Sequence, residues 1–197
     1  MIDYELTDET VEVCGHILHR IRALKDINGY VHAGDLGGFV ESTENLDASH
    51  GAWVFGEACV FDRARVFDRA RVYDRGWVSG SACVFDRACV YGSARVFDRA
   101  CVYGDAWVFG DAYVSDRAWV FDRARVGGDA WVYGDAWVFG DAWVFGDAWV
   151  FDRARVGGDA RVDGCAEVCG SARILGTDHI GGTTRIDGDV EVCEEES

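Results

Sequence analysis

The sequence contains no proline, a single lysine (Lys25) and a single methionine, and no apolar run long enough to cross a membrane. Without proline every backbone N–H remains available to donate to a neighbouring strand, as continuous β-structure requires. With one lysine, the cations facing 35 acidic residues are almost all arginine, and the net charge is −16. The clustered basic residues that nonspecific binding to nucleic acid or an anionic membrane needs are missing, so neither partner is expected. The first stretch, MIDYELTDET, is acidic and polar and does not read as an export signal. These absences point to a soluble, cytoplasmic protein. Its eight cysteines are then expected to be free thiols, because disulfides belong to oxidising compartments.

What is present is a ruler. Residues 128–151 read GDAWVY-GDAWVF-GDAWVF-GDAWVF, and the same six-residue unit fits most of the chain. Val recurs at every sixth position from Val54 to Val168, and Ile174, Ile180, Ile186 and Val192 continue the row, giving 24 hexads without an insertion. A short fixed period sustained this long marks a solenoid, in which each unit buries its apolar face only by stacking on its neighbours.

Each slot of the hexad has a distinct character. Two residues before each Val stands Ala, with Gly76 the exception before Asp178, Thr184 and Val190 end the series. The residue just before Val is mostly Trp, Arg or Cys, and the residue just after is mostly Phe or Tyr. Side chains alternate faces along a strand, so Ala and Val share one face while the aromatic and basic residues share the other. Geometry decides which face is inside. If three hexads close one coil, each side is only about 15 Å long, at about 3.3 Å per residue. Three Val and three Ala fill such a lumen, whereas six large rings would overpack it. The aromatic face therefore points outward. The second residue after Val is always Gly or Asp from Gly56 to Gly188, as expected where a corner needs positive φ.

The pattern [LIV]-x-x-x-[STAV]-x in unbroken register resembles the hexapeptide repeat of left-handed parallel β-helices, over residues 52–193. The stretches His19–Asp26 (HRIRALKD) and Gly34–Glu41 (GDLGGFVE) resemble a family of bacterial and prophage proteins, akin to the YdcK-like β-helices and described as polymer-forming. That likeness implies an all-β fold: a single-stranded left-handed parallel β-helix of about eight triangular coils, three hexads to a coil. Neither the handedness nor the coil length follows from spacing, since no period of 18 shows beneath the six. The departure from acyltransferases of this fold is the slot after Val, where Phe or Tyr replaces their usual Gly.

Three segments follow: a cap over 1–50, the β-helix over 51–193 and an acidic tail over 194–197. In the cap, Thr10–Val13 and Ile17–Ala23 alternate as a β-hairpin, with Val11, Val13, Ile17, Ile21 and Ala23 on its buried face. Asn28-Gly29 is a turn signal. The Gly-rich run Gly34–Gly38 is followed by no helix and no Lys-Ser/Thr, so it is expected to serve the cap and not to cradle phosphate. The repeats are expected to begin near residues 46–52. The tail on an open coil end reads as a device against end-to-end stacking.

Candidate chemistry is sparse. Only His179 lies within the repeats, so neither an acyltransferase histidine on an inserted loop nor a three-histidine zinc site is expected. Cys14, His16 and His19 have metal-like spacing but fall on opposite faces of a strand. Cys83 and Cys101 stack if three hexads make a coil, and could chelate a soft metal or cross-link, although two ordinary repeat-slot thiols are the favoured reading. No cofactor, metal or catalytic residue is expected. What remains is surface. Trp107, Trp119, Trp131, Trp137, Trp143 and Trp149 occupy outward slots, as do Phe85, Tyr103, Phe121 and Phe139, and Arg125 falls between Trp107 and Trp143. Such ladders either cover their own backbone or form a partner surface. The leading expectation is a non-catalytic structural or interaction rod that self-associates, as a homo-oligomer, or docks a protein partner. The alternatives are an acidic nucleic-acid-mimic inhibitor and an acyltransferase-like enzyme with a site between subunits.

Overall fold

The computed structural model describes residues 3–193. The chain is all-β, and its one helical element among the described residues is a 3-10 turn at Ala48–His50. Two-residue strands ending on the repeat Val or Ile run along three parallel sheets. Val54 pairs with Val72, Val60 with Val78 and Val66 with Val84, so each repeat Val stacks on the one three hexads later and three hexads make one coil. The backbone follows the same step: Trp53 N donates to Ala70 O at 3.1 Å and Phe55 N to Val72 O at 2.8 Å.

The lumen is filled as the packing argument requires. Every repeat Val from Val54 to Val168 is fully buried, and so is every repeat Ala from Ala52 to Ala172. Burying each Val contributes about 1.5–3 kcal/mol before chain ordering is subtracted. At the corners, all eight Asp of the turning slot have positive φ, from 57° at Asp74, Asp86 and Asp116 to 61° at Asp152. Their carboxylates add something the residue pattern did not disclose. Asp62 Oδ2 accepts from Gly80 N at 3.0 Å, Asp116 Oδ2 from Gly134 N at 3.0 Å and Asp152 Oδ2 from Gly170 N at 3.1 Å. Asp thus turns the chain and also satisfies a corner N–H of the next coil, which Gly has no side chain to do.

Parallel stacking begins earlier than the ruler indicates, and there are about nine turns where the repeat implies eight. The hairpin pairs β1 (Tyr4–Val13) with β2 (His16–Ala23), and β2 pairs antiparallel with β3 (Leu36–Val40). β3 is itself the first parallel strand: Phe39 pairs with Cys59 and Val40 with Val60. Leu46 bridges to Val66. Both pairings span slightly more chain than the three hexads that separate Val54 from Val72 and every later pair. The surplus lies between Leu46 and Val54, where the 3-10 turn accommodates it, and that insertion hides the first coil from a six-residue ruler.

The hairpin's buried residues also differ from the single face expected. Leu18, Ile21 and Ala23 are buried while Ile17 is exposed and Val11 and Val13 are only partly covered. The cause is that both faces of the hairpin are covered in part: Val11, which pairs with Leu18, lies on one face, and Leu6, which pairs with Ile21, lies on the other, against the tube. Alternation along β2 sets Leu18 on one face, in a small cluster with Phe39, Cys59 and Phe61, and Ile21 and Ala23 on the other, in the tube. Gly37 and Gly38 lie inside β3, where a Cβ would stand 2.6 Å from Ile21 Cγ1 and from Val54 O, or 2.5 Å from Ala58 O. Close approach of cap to coil explains these glycines.

Tyr4 closes the tube mouth, packing edge-on against Trp53 at 6.1 Å and donating to Leu46 O at 2.9 Å. At the other end, Asp178 takes an inward Ala slot and is buried with Oδ2 lacking a hydrogen-bond partner, while Thr184 and Val190 are exposed. The acidic tail, 194–197, lies outside the described residues.

Candidate interaction surface

Because each strand pairs with the strand three hexads on, every outward slot becomes a column along one of three faces. One face runs Trp53, Arg71, Cys89, Trp107, Arg125, Trp143, Arg161 and His179. A second runs Arg65, Cys83, Cys101, Trp119, Trp137, Arg155, Arg173 and Glu191. On the third, the repeat strands begin at Cys59 and continue through Trp77, Arg95, Tyr113, Trp131, Trp149, Glu167 and Arg185.

The expected stacking is present. Arg125 lies over Trp107 at 5.4 Å and over Trp143 at 4.7 Å. Trp119 stacks on Trp137 at 5.8 Å and Trp131 on Trp149 at 5.9 Å. Phe67, Phe85, Tyr103, Phe121 and Phe139 form one continuous ladder, with centroids 4.9–5.4 Å apart. Tyr103 and Phe121 also meet Trp119 and Trp137 edge-on, at 5.9 and 6.0 Å, so the two columns of that face brace each other. Each such contact adds about 0.5–1.5 kcal/mol beyond burial.

Outward position does not guarantee exposure. Trp53 is only 1% exposed because Tyr4 covers it, and Cys59 and Phe61 lie under the hairpin. Trp77 and Trp137 are half-covered, whereas Trp107, Trp119, Trp131, Trp143 and Trp149 remain 37–42% exposed. Glycine marks where ring columns stop. A Cβ on Gly127 would stand 2.3 Å from Phe109 Cζ, and one on Gly157 2.3 Å from Phe139 Cζ. Each ring leans over the next coil and occupies the space a side chain would need.

Several of the acids are paired. Arg117 pairs with Asp135 at 2.8 Å and Arg87 with Asp105 at 3.1 Å, each one coil apart, and Arg123 pairs with Asp141. His179 Nε2 lies 2.6 Å from Asp163 Oδ2 as a surface pair. Cys14, His16 and His19 are not brought together; His19 Nδ1 contacts Thr7 O at 3.1 Å. His16 instead joins Glu41 and Asp62, a cluster that sequence spacing could not reveal because its members lie far apart along the chain. Its Nδ1 is 3.0 Å from Glu41 Oε1 and its Nε2 3.3 Å from Asp62 Oδ1. The second oxygen of each carboxylate accepts a backbone N–H, from Asp62 and Gly80. The hydrogen bond to Glu41 raises the His16 pKa against the opposing effect of burial, and that same bond lowers Glu41. The three ligand atoms are close enough to hold an ion, but each ring nitrogen already faces a carboxylate oxygen and the remaining carboxylate oxygens accept backbone N–H groups. The cluster clamps hairpin to coil. Arg20 does the same nearby, bonding Glu9 and Glu57 at 2.7 and 3.0 Å while lying 4.3 Å over Phe39.

No protein-family model matches the chain, and no curated protein matches it. No helix among the described residues is long and apolar enough to cross a membrane. Cys14, Cys59, Cys83, Cys89, Cys101, Cys165 and Cys169 are free thiols.

Proposed function

We propose that the chain is a non-catalytic β-solenoid rod whose tryptophan and arginine columns bind protein, either a second copy of itself or a different partner. One observation carries the reading: five tryptophans keep more than a third of their surface open while standing in ordered columns braced by neighbouring coils. Contiguous aromatic surface of this kind exceeds what monomers commonly leave bare. Trp, Tyr and Arg are also the residues that dominate binding energy at interfaces. Held on a rigid ladder, these side chains lose little freedom on docking, which lowers the cost of association. Corner arginines pair with Asp105, Asp135 and Asp141, which interrupts the acidic rows that mimicry of nucleic acid would need. The likeness of the repeat to bacterial and prophage hexapeptide solenoids, left-handed and cytoplasmic, belongs to the same proposal.

The test is mass in solution against concentration by light scattering, with affinity capture alongside. Wild type is expected to associate or to retain a partner, and Trp119→Ser with Trp137→Ser, or Trp107→Ser with Trp143→Ser, to weaken this without loss of β-structure. A strict monomer at every concentration that captures nothing refutes the proposal.

A further inference from the structure

Cys83 and Cys101 are direct register partners in adjacent parallel strands. Among the described residues this is the one rung where the ladder sets thiol over thiol. Cys59 lies between Phe39 and Trp77, and Cys89 between Arg71 and Trp107. Both paired thiols are partly open to solvent. Arg65 is the next rung beyond Cys83, and Trp119 the next beyond Cys101. The neighbouring column, Phe67–Phe85–Tyr103, is stacked at 4.9 Å and holds this part of the wall rigid.

Rung spacing decides what two stacked cysteines can do. Neighbouring strands lie about 4.8 Å apart, so in-register Cβ atoms start about that far from each other. An unstrained disulfide needs its Cβ atoms about 3.5–4.5 Å apart, so the ladder works against S–S closure. Two thiolates on a single ion, each at about 2.3 Å, span up to about 4.6 Å, which the ladder accommodates without backbone movement. Thiolates select soft ions. Charge narrows the class further: two thiolates with a monovalent cation leave one net negative charge, and Arg65 is placed to offset it. Zinc prefers four ligands, and this rung supplies two.

We propose that Cys83 and Cys101 form a two-thiolate site for a monovalent soft cation of the cuprous class. Both thiol protons leave to solvent as the cation enters, and no electron is transferred. The site is independent of the interaction role proposed above.

The test is an anaerobic titration of Cu(I) into the reduced full chain, in competition with a chromophoric cuprous chelator. Cys83→Ser, Cys101→Ser and, as control, Cys89→Ser are compared. The slot holds Tyr113, Glu167 and His179 elsewhere, so serine is expected to suit the fold, which far-UV circular dichroism of each variant checks. Wild type and Cys89→Ser are expected to hold one tight equivalent, and either partner variant to bind it more than about 100-fold more weakly. A tight equivalent that survives in Cys83→Ser or Cys101→Ser, or its absence from wild type, overturns the proposal. So does peptide mapping that finds an 83–101 disulfide after mild air oxidation.

Discussion

Arg125 and Val126 are consecutive residues that test which face of the wall carries stability. Val126 is fully buried in the lumen, in register between Val108 and Val144. Val126→Ala removes two methyl groups, worth about 0.8 kcal/mol each in transfer, and leaves a void in a tube whose backbone cannot collapse. The expected cost is about 2–3 kcal/mol. Arg125 makes two cation–π contacts, with Trp107 and Trp143, at about 0.5–1 kcal/mol each on an open surface. Arg125→Ala is therefore expected to cost about 1–2 kcal/mol, part of it from lost packing of the aliphatic stem. The two side chains lie on opposite faces of one strand, and the double variant measures whether the shared backbone couples their losses. Urea unfolding followed by far-UV circular dichroism gives all three values, with the m-value unchanged if the unfolding unit is the same. An Arg125→Ala loss as large as that of Val126→Ala would refute the reasoning, because the outer ladder and not the lumen would then be the core.

Two further outcomes rest on local geometry. Gly127→Ala is expected to cost about 1–3 kcal/mol by driving the Phe109 ring off its ladder, and to cost almost nothing in a Phe109→Ala background; unfolding of the four proteins gives the coupling directly. The His16 clamp gives the cap a pH optimum. His16 is raised, so its contribution is complete below its usual value near 6.5 and is lost as pH rises through the folded value. Glu41 is lowered, so its contribution is present above about 4.5 and is lost as pH falls through the folded value. Hydrogen-exchange protection of the β1 and β2 amides should be greatest between about pH 4.5 and 6.5 and decline on the alkaline side. Unchanged decline in His16→Gln would show that another group is responsible.

The tube follows from the chain's own letters. A six-residue period with small aliphatics on one parity and rings on the other leaves one packing solution, because a narrow lumen accepts Val and Ala and excludes indole. The corner chemistry was equally legible, since only residues tolerant of positive φ occupy the turning slot. The columns holding Trp119 over Trp137 and Arg125 between two tryptophans followed once a coil of three hexads was assumed, but nothing in the repeat itself supplied that assumption. A period of 18 leaves no mark when all three faces use the same letters, and only strand pairing reveals it.

Everything else depends on long-range contact overriding a local pattern. A short insertion beside the 3-10 turn displaced the first coil from the ruler and concealed that β3 belongs to the stack. The hairpin buries part of both its faces, Leu18 on one and Ile21 and Ala23 on the other, which a pattern read for a single buried face does not express. Trp53 reads as one more outward tryptophan and is buried because Tyr4, from the far end of the cap, lies across it. His16, Glu41 and Asp62 meet for the same reason: the cap folds back onto the first corner, and no spacing along the chain encodes that approach.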